Sequence, residues 1–111
     1  MEENNEGILA GIKVLDFGRY IAGPFCGALL GDYGAEVIRI ERVDGSEDRF
    51  VTPVTNNQEG AMFLQLNRNK IGFTVNPTKE KGREIIEKLV RESDVVIANL
   101  PEDTLFSMGL D

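Results

Sequence analysis

Four short runs rich in β-branched residues, IKVLDFG, AEVIRIE, GFTVN and SDVVIANLP, recur along the chain with helix-compatible segments between them. That alternation constrains the fold more than any other feature. Successive strands joined through helices make right-handed β-α-β crossovers, and these build a parallel sheet covered on both faces. The expected fold is α/β, a Rossmann-like open parallel sheet of about four strands with flanking helices, in strand order 3-2-1-4. Open sheets of this kind bind ligands beyond the carboxyl ends of the strands, at the point where the strand order reverses. That places a crevice at Phe17 to Ala22 and Asn99 to Pro101, with Arg42 emerging from the neighbouring second strand.

The segments between the strands carry their own signals. The EENNEG stretch near the start holds nothing apolar, and Ile8 and Leu9 are the first side chains worth burying, so residues 1–10 are expected as a flexible acidic N-terminus, with 11–111 as one ordered domain. Pro24 suits the first turn of a helix that runs through FCGALLGDYG and stops at Gly34. Arg42 to Gly60 holds charges and no sustained period, which reads as a long surface loop with Glu47, Asp48 and Arg49 in solvent. AMFLQLN fits a helix or a strand. Ile85, Ile86, Leu89 and Val90 fall on one stripe of a helix over residues 78–92, for which Thr78 or Asn76 is the expected cap. A short helix in EDTLFSMGL ends at Gly109.

Charge and residue usage exclude several functions. With 12 basic against 19 acidic side chains and a formal charge of −7, no basic stripe exists to neutralise a nucleic-acid backbone. Histidine is absent, so neither a Ser/His nor a Cys/His nucleophile pair can be built, and no metal site is expected. The single cysteine, Cys26, cannot form an internal disulfide and is expected as a small core residue of its helix. The start has no basic leader followed by an apolar stretch, and no apolar run approaches a membrane span. A cytoplasmic protein with neither membrane nor nucleic-acid partner is the expectation.

A nicotinamide-binding domain requires G-x-G-x-x-G in its first turn, so that the backbone can approach a pyrophosphate. Here the turn reads G-R-Y-I-A-G-P-F-C-G, with glycines at 18, 23 and 27, and the spacing does not match. Glu41 does end the second strand, where such domains place a ribose-binding acid. Gly27 and Gly31 read as sites of close packing, whereas Gly23, at the helix start, suits a ligand approaching the backbone as well as packing. Asp16 reads as an acceptor for loop N–H groups. The cluster Asn67-Arg68-Asn69-Lys70 is either a polar turn or an organiser of the crevice or of a subunit interface.

Taken together, L-x-G-I-x-V-L-D-F, I-A-G-P-F-C-G, G-A-E-V-I-R-I-E, L-N-R-N-K, K-G-R-E, D-V-V-I-A-N-L and M-G-L resemble the N-terminal part of the family III CoA-transferases, the CaiB/BaiF group. The likeness runs from about Leu9 to Leu110, and the motifs are specific as an ordered set. The resemblance implies a Rossmann-like core, CoA or acyl-CoA as substrate and no permanently bound cofactor. It also implies a carboxylic acid as second substrate and a homodimer of interlocked subunits. Carried over by position, Ile21 and Ala22 would line the CoA site and Arg42 would approach its phosphates. Val75, Asn76, Pro77 and Thr78, with Asn99, Leu100 and Pro101, would complete the wall.

Two stretches depart from the family pattern. Ser107 stands where members often carry a cation, and Glu102 and Asp103 follow Pro101 where members often read R-P-G or G-P-G. The resemblance further implies that the catalytic aspartate lies downstream of everything matched, so no catalytic residue is expected in this chain. Alternatives stay open: a non-catalytic CoA-binding or assembly module, part of an acyl-CoA racemase, or a nicotinamide-binding domain.

Overall fold

The apolar runs pair as their alternation predicts. In the computed structural model, which describes residues 7–51 and 60–110, four strands form one parallel sheet. They are β1 (Lys13–Asp16), β2 (Glu36–Glu41), β3 (Ile71–Thr74) and β4 (Val95–Ile97), in the order β3-β2-β1-β4. Helices α1 (Ala22–Asp32), α2 (Ala61–Leu66), α3 (Glu80–Arg91) and α4 (Glu102–Ser107) occupy the segments that follow the strands. AMFLQLN, ambiguous in sequence, is thus α2. Within the long loop, Glu47–Phe50 forms a single 3-10 turn. No helix among the described residues is long and apolar enough to cross a membrane.

Strand residues alternate between two faces, as the pleat requires. Leu15 and Phe17 share one face with Ile40, where Val75, Ile86 and Met108 complete the larger core cluster. Val14 and Val37 face the other way with Ala35, and Leu30 of α1 packs over them. Pro24 lies in the first turn of α1, where a missing N–H has no helical partner to lose. The stops at Gly34 and Gly109 hold, and both glycines take positive φ, 109° and 77°.

Several sequence expectations are corrected. Cys26 is exposed, because the inner face of α1 belongs to Gly23, Pro24, Gly27, Ala28 and Gly31. Ile85 is 41% exposed, and Ile86 carries the burial expected of the stripe. Neither Thr78 nor Asn76 caps α3, which starts after Lys79. Instead the Asn76 Oδ1 accepts the Thr78 N–H at 3.0 Å and its hydroxyl at 2.7 Å, a local turn that satisfies these groups ahead of the helix. The Leu9 N–H donates to the Tyr33 carbonyl at 2.8 Å, while residues 1–6 of the expected flexible N-terminus lie outside the described residues.

Candidate functional site at the carboxyl edge of the sheet

Because all pairings are parallel, the carboxyl ends of the four strands lie along one edge. The residues that the resemblance assigns to the CoA site emerge there. Ile21 and Ala22 lie in the turn from β1 into α1, and Arg42 directly follows β2. Val75, Asn76, Pro77 and Thr78 follow β3, and Asn99, Leu100 and Pro101 follow β4. Val75 is buried and Leu100 half-buried, both within the larger core cluster, so these two form a floor beneath the exposed members. The Arg42 guanidinium is only loosely held, 3.8 Å from Asp44 and 3.4 Å from the Gly45 carbonyl, and its side chain is 60% exposed. Glu102 and Asp103 sit in the first turn of α4, where acidic groups complement the helix dipole.

Beneath this edge lies a buried ionic network. The pleat that directs Val14 and Val37 under α1 also directs Asp16, Arg39 and Glu41 to that face, one step nearer the carboxyl end. All three are at least 97% buried, so each must be paired or pay a desolvation penalty of several kcal/mol, by principle about 3–5 when one partner of a pair is lost. Lys70, from the turn after α2, places its Nζ 2.7 Å from Asp16 Oδ2 and also donates to the Pro24 carbonyl and Asn67 Oδ1. Arg39 donates to both oxygens of Asp48 at 2.8 and 3.0 Å, and to Asn67 Oδ1. Glu41 accepts two hydrogen bonds from Arg49, at 2.6 and 2.7 Å, and one from the Ser46 N–H. The Phe63 ring of α2 lies 4.2 Å from the Arg49 guanidinium carbon and 5.1 Å from that of Arg39, within cation–π range.

This network reverses the solvated reading of the long loop. Asp48 is buried and ion-paired, and Arg49 pairs with Glu41, while Glu47 stays exposed. Glu41 is not presented to a ribose. Burial would raise its pKa, but the Arg49 hydrogen bond, the Arg39 charge and the Ser46 N–H together bring it down to about 2. For Lys70, burial lowers the pKa, and the Asp16 carboxylate opposes that shift. Asn67 and Lys70 are therefore organisers of the edge and not merely a polar turn.

The network also explains the glycines. A Cβ on Gly27 would lie 2.8 Å from Asp16 Oδ2 and 3.2 Å from Lys70 Nζ, so this position is kept empty for the ion pair. A Cβ on Gly23 would lie 2.8 Å from the Gly18 Cα and 3.0 Å from Asn99 Oδ1. Gly23 is thus filled by the chain itself, and the alternative of a ligand approaching its backbone is set aside.

The turn between β1 and α1 is held from several sides. Asp16 Oδ1 accepts the Gly18 N–H at 2.7 Å, as expected for a carboxylate at a strand end. Asn99 brackets Arg19, accepting its N–H at 2.8 Å and donating to its carbonyl at 2.9 Å. The Arg19 guanidinium turns inward onto the carbonyls of Phe17, Gly18 and Ile40. These contacts leave the outer backbone at Ile21 and Ala22, the amide of Asn76, and Arg42 as the groups able to meet a ligand. Chemically, the edge offers the exposed, loosely paired Arg42 guanidinium, backbone and amide donors, and apolar surface, which suits a long ligand carrying phosphate. A nucleophile activated by a base is not among these groups.

Comparison with known proteins agrees with this fold. The family model described as CoA-transferase family III matches residues 9–111. A succinyl-CoA:glutarate CoA-transferase from Homo sapiens is 42% identical over 108 residues, covering 96% of this chain and 25% of that protein. An (R)-2-hydroxy-4-methylpentanoate CoA-transferase from Clostridioides difficile is 38% identical over 108 residues, covering 93% of this chain and 27% of that protein. A crystal structure of a CaiB/BaiF family protein from Brucella suis superposes with a TM-score of 0.85 at 38% identity, over 95% of this chain and 29% of that one. The chain thus spans about a quarter of the length of these curated relatives. By sequence motifs, fold and strand order alike, the chain belongs to the family III CoA-transferases.

Proposed function

We propose that this chain forms the CoA-binding part of an acyl-CoA:carboxylate CoA-transferase, a protein that moves CoA between an acyl-CoA and a carboxylic acid. The observation that carries this reading is the convergence of Ile21, Ala22, Arg42, Val75 to Thr78 and Asn99 to Pro101 on one edge of the sheet, in a chain of this family. In this reading Arg42 swings onto a phosphate of CoA. A guanidinium suits that task, because it donates in a bidentate fork and keeps its charge. The backbone at Ile21 and Ala22 and the floor of Val75 and Leu100 accept the rest of the ligand. In this reading the family's catalytic aspartate lies downstream of the residues matched here, and the protein assembles as the family's interlocked homodimer. A cytoplasmic location accompanies the reading.

A thermal-shift titration tests it: CoA should raise the melting temperature, whereas NAD should not. Equal protection by both would support a nicotinamide-type crevice instead. Arg42→Ala should weaken CoA binding by about 1.5–3 kcal/mol, the value of a hydrogen bond to a charged group. Unchanged affinity would remove Arg42 from the site.

A further inference from the structure

Tyr20 is one of two non-glycine residues with positive φ among those described, at 63°. A left-handed backbone at a bulky residue is strained and persists only where neighbours enforce it. Tyr20 immediately precedes Ile21 and Ala22, the start of α1 and the inner wall of the proposed crevice. Its N–H does not point to solvent: it donates to Asp48 Oδ2 at 3.0 Å. Asp48 comes from the far loop after β2, is 98% buried, and is itself fixed by two hydrogen bonds from Arg39. Asp44 and Glu47, the neighbouring acids of this loop, are exposed, and the contacts of Asp48 with Tyr20 and Arg39 account for its burial.

We infer that Asp48 is a positioning residue for the ligand crevice: locked by Arg39, it holds Tyr20 in the left-handed conformation and so sets the direction of the Ile21–Ala22 backbone. The inference rests on the CoA-crevice reading for its functional consequence, and on the Tyr20 contact for its structural part. Asp48 touches no ligand. It links the loop that carries Arg42 to the turn that carries Ile21, so the two sides of the crevice share one buried carboxylate.

The test uses Asp48→Ala, Tyr20→Gly and the double variant, with two readouts: CoA affinity and hydrogen exchange of the residue-20 amide. Asp48→Ala should weaken CoA binding about tenfold or more and expose the Tyr20 amide to exchange. Glycine adopts positive φ without strain. Tyr20→Gly in the Asp48→Ala background should therefore return CoA affinity close to that of Tyr20→Gly alone. No such recovery would follow if Asp48 served only to neutralise Arg39, and its absence would overturn the inference. Where Asp48→Ala does not fold, Tyr20→Pro removes the same N–H and forbids positive φ while leaving the Arg39 pair intact. It should lose CoA affinity similarly, and unchanged affinity would overturn the inference. If the wild-type protein does not bind CoA, the crevice reading fails separately. The Tyr20 amide then decides alone: protection lost in Asp48→Ala supports the positioning role, and protection retained refutes it.

Discussion

Gly27 shows how much one absent methyl group can carry. In an ordinary helix interior, alanine would gain about 1 kcal/mol over glycine. Here the added Cβ would meet the Asp16–Lys70 pair at 2.8 and 3.2 Å, both groups being buried and unable to retreat without breaking their bonds. Gly27→Ala should therefore destabilise the protein by about 1–3 kcal/mol in urea denaturation. Gly72→Ala, where nothing lies within 4 Å of the new methyl, should be close to neutral and serves as the control. Glu41 gives a second residue-scale test. Its carboxyl falls from 4.5 when unfolded to about 2 when folded, so the unfolded state binds the extra proton between those values. Its stabilisation is complete above pH 4.5 and is lost as pH falls through about 2. Glu41→Gln should flatten that limb of the stability-against-pH curve, and an unchanged limb would contradict the pairing. The sequence did hold a sign of this network. In EVIRIE the charges of Arg39 and Glu41 recur on the same face as Val37, and a strand covered on both faces can carry them only in pairs. Their partners Asp48, Arg49 and Lys70 were hidden, because a loop's charges look solvated until its path over the sheet is known.

At the scale of elements, strand identity and order were legible, and boundaries were not. Each β-branched run became a strand, since alternating helices leave a parallel sheet little choice. The runs overshoot the strands because Phe17, Val75 and Leu100 stay apolar just past the strand ends, where they join or pack against the larger core cluster. The same ambiguity blurred α3. Its apolar stripe spans four residues, yet Ile86 is 2% exposed and Ile85 41%. Ile86→Ala should cost about 2–5 kcal/mol and Ile85→Ala well under half of that, as read from denaturation midpoints. Similar costs at the two positions would mean that α3 is rotated about its axis. Gly82 fixes that rotation, since any side chain there would collide with the Asn76 carbonyl. The contact also ties α3 to the Val75–Thr78 segment of the candidate site.

For the whole molecule, one end of the sheet is built and the flanks are open. The polar groups at the carboxyl edge are interlocked from beneath, whereas Val95 and Val96 of β4 and Phe25 and Leu29 of α1 remain exposed. The chain spans about a quarter of its relatives' length. What these residues explain is placement: a parallel sheet gathers four loops at one edge, and buried ion pairs fix their conformation. The most direct test is a CoA titration followed by amide chemical shifts. The perturbed amides should be those of Ile21, Ala22, Arg42, Val75, Asn76, Thr78, Asn99 and Leu100, with α3's outer face silent. Perturbation confined to α3 and α4, or none at saturating CoA, would contradict the account.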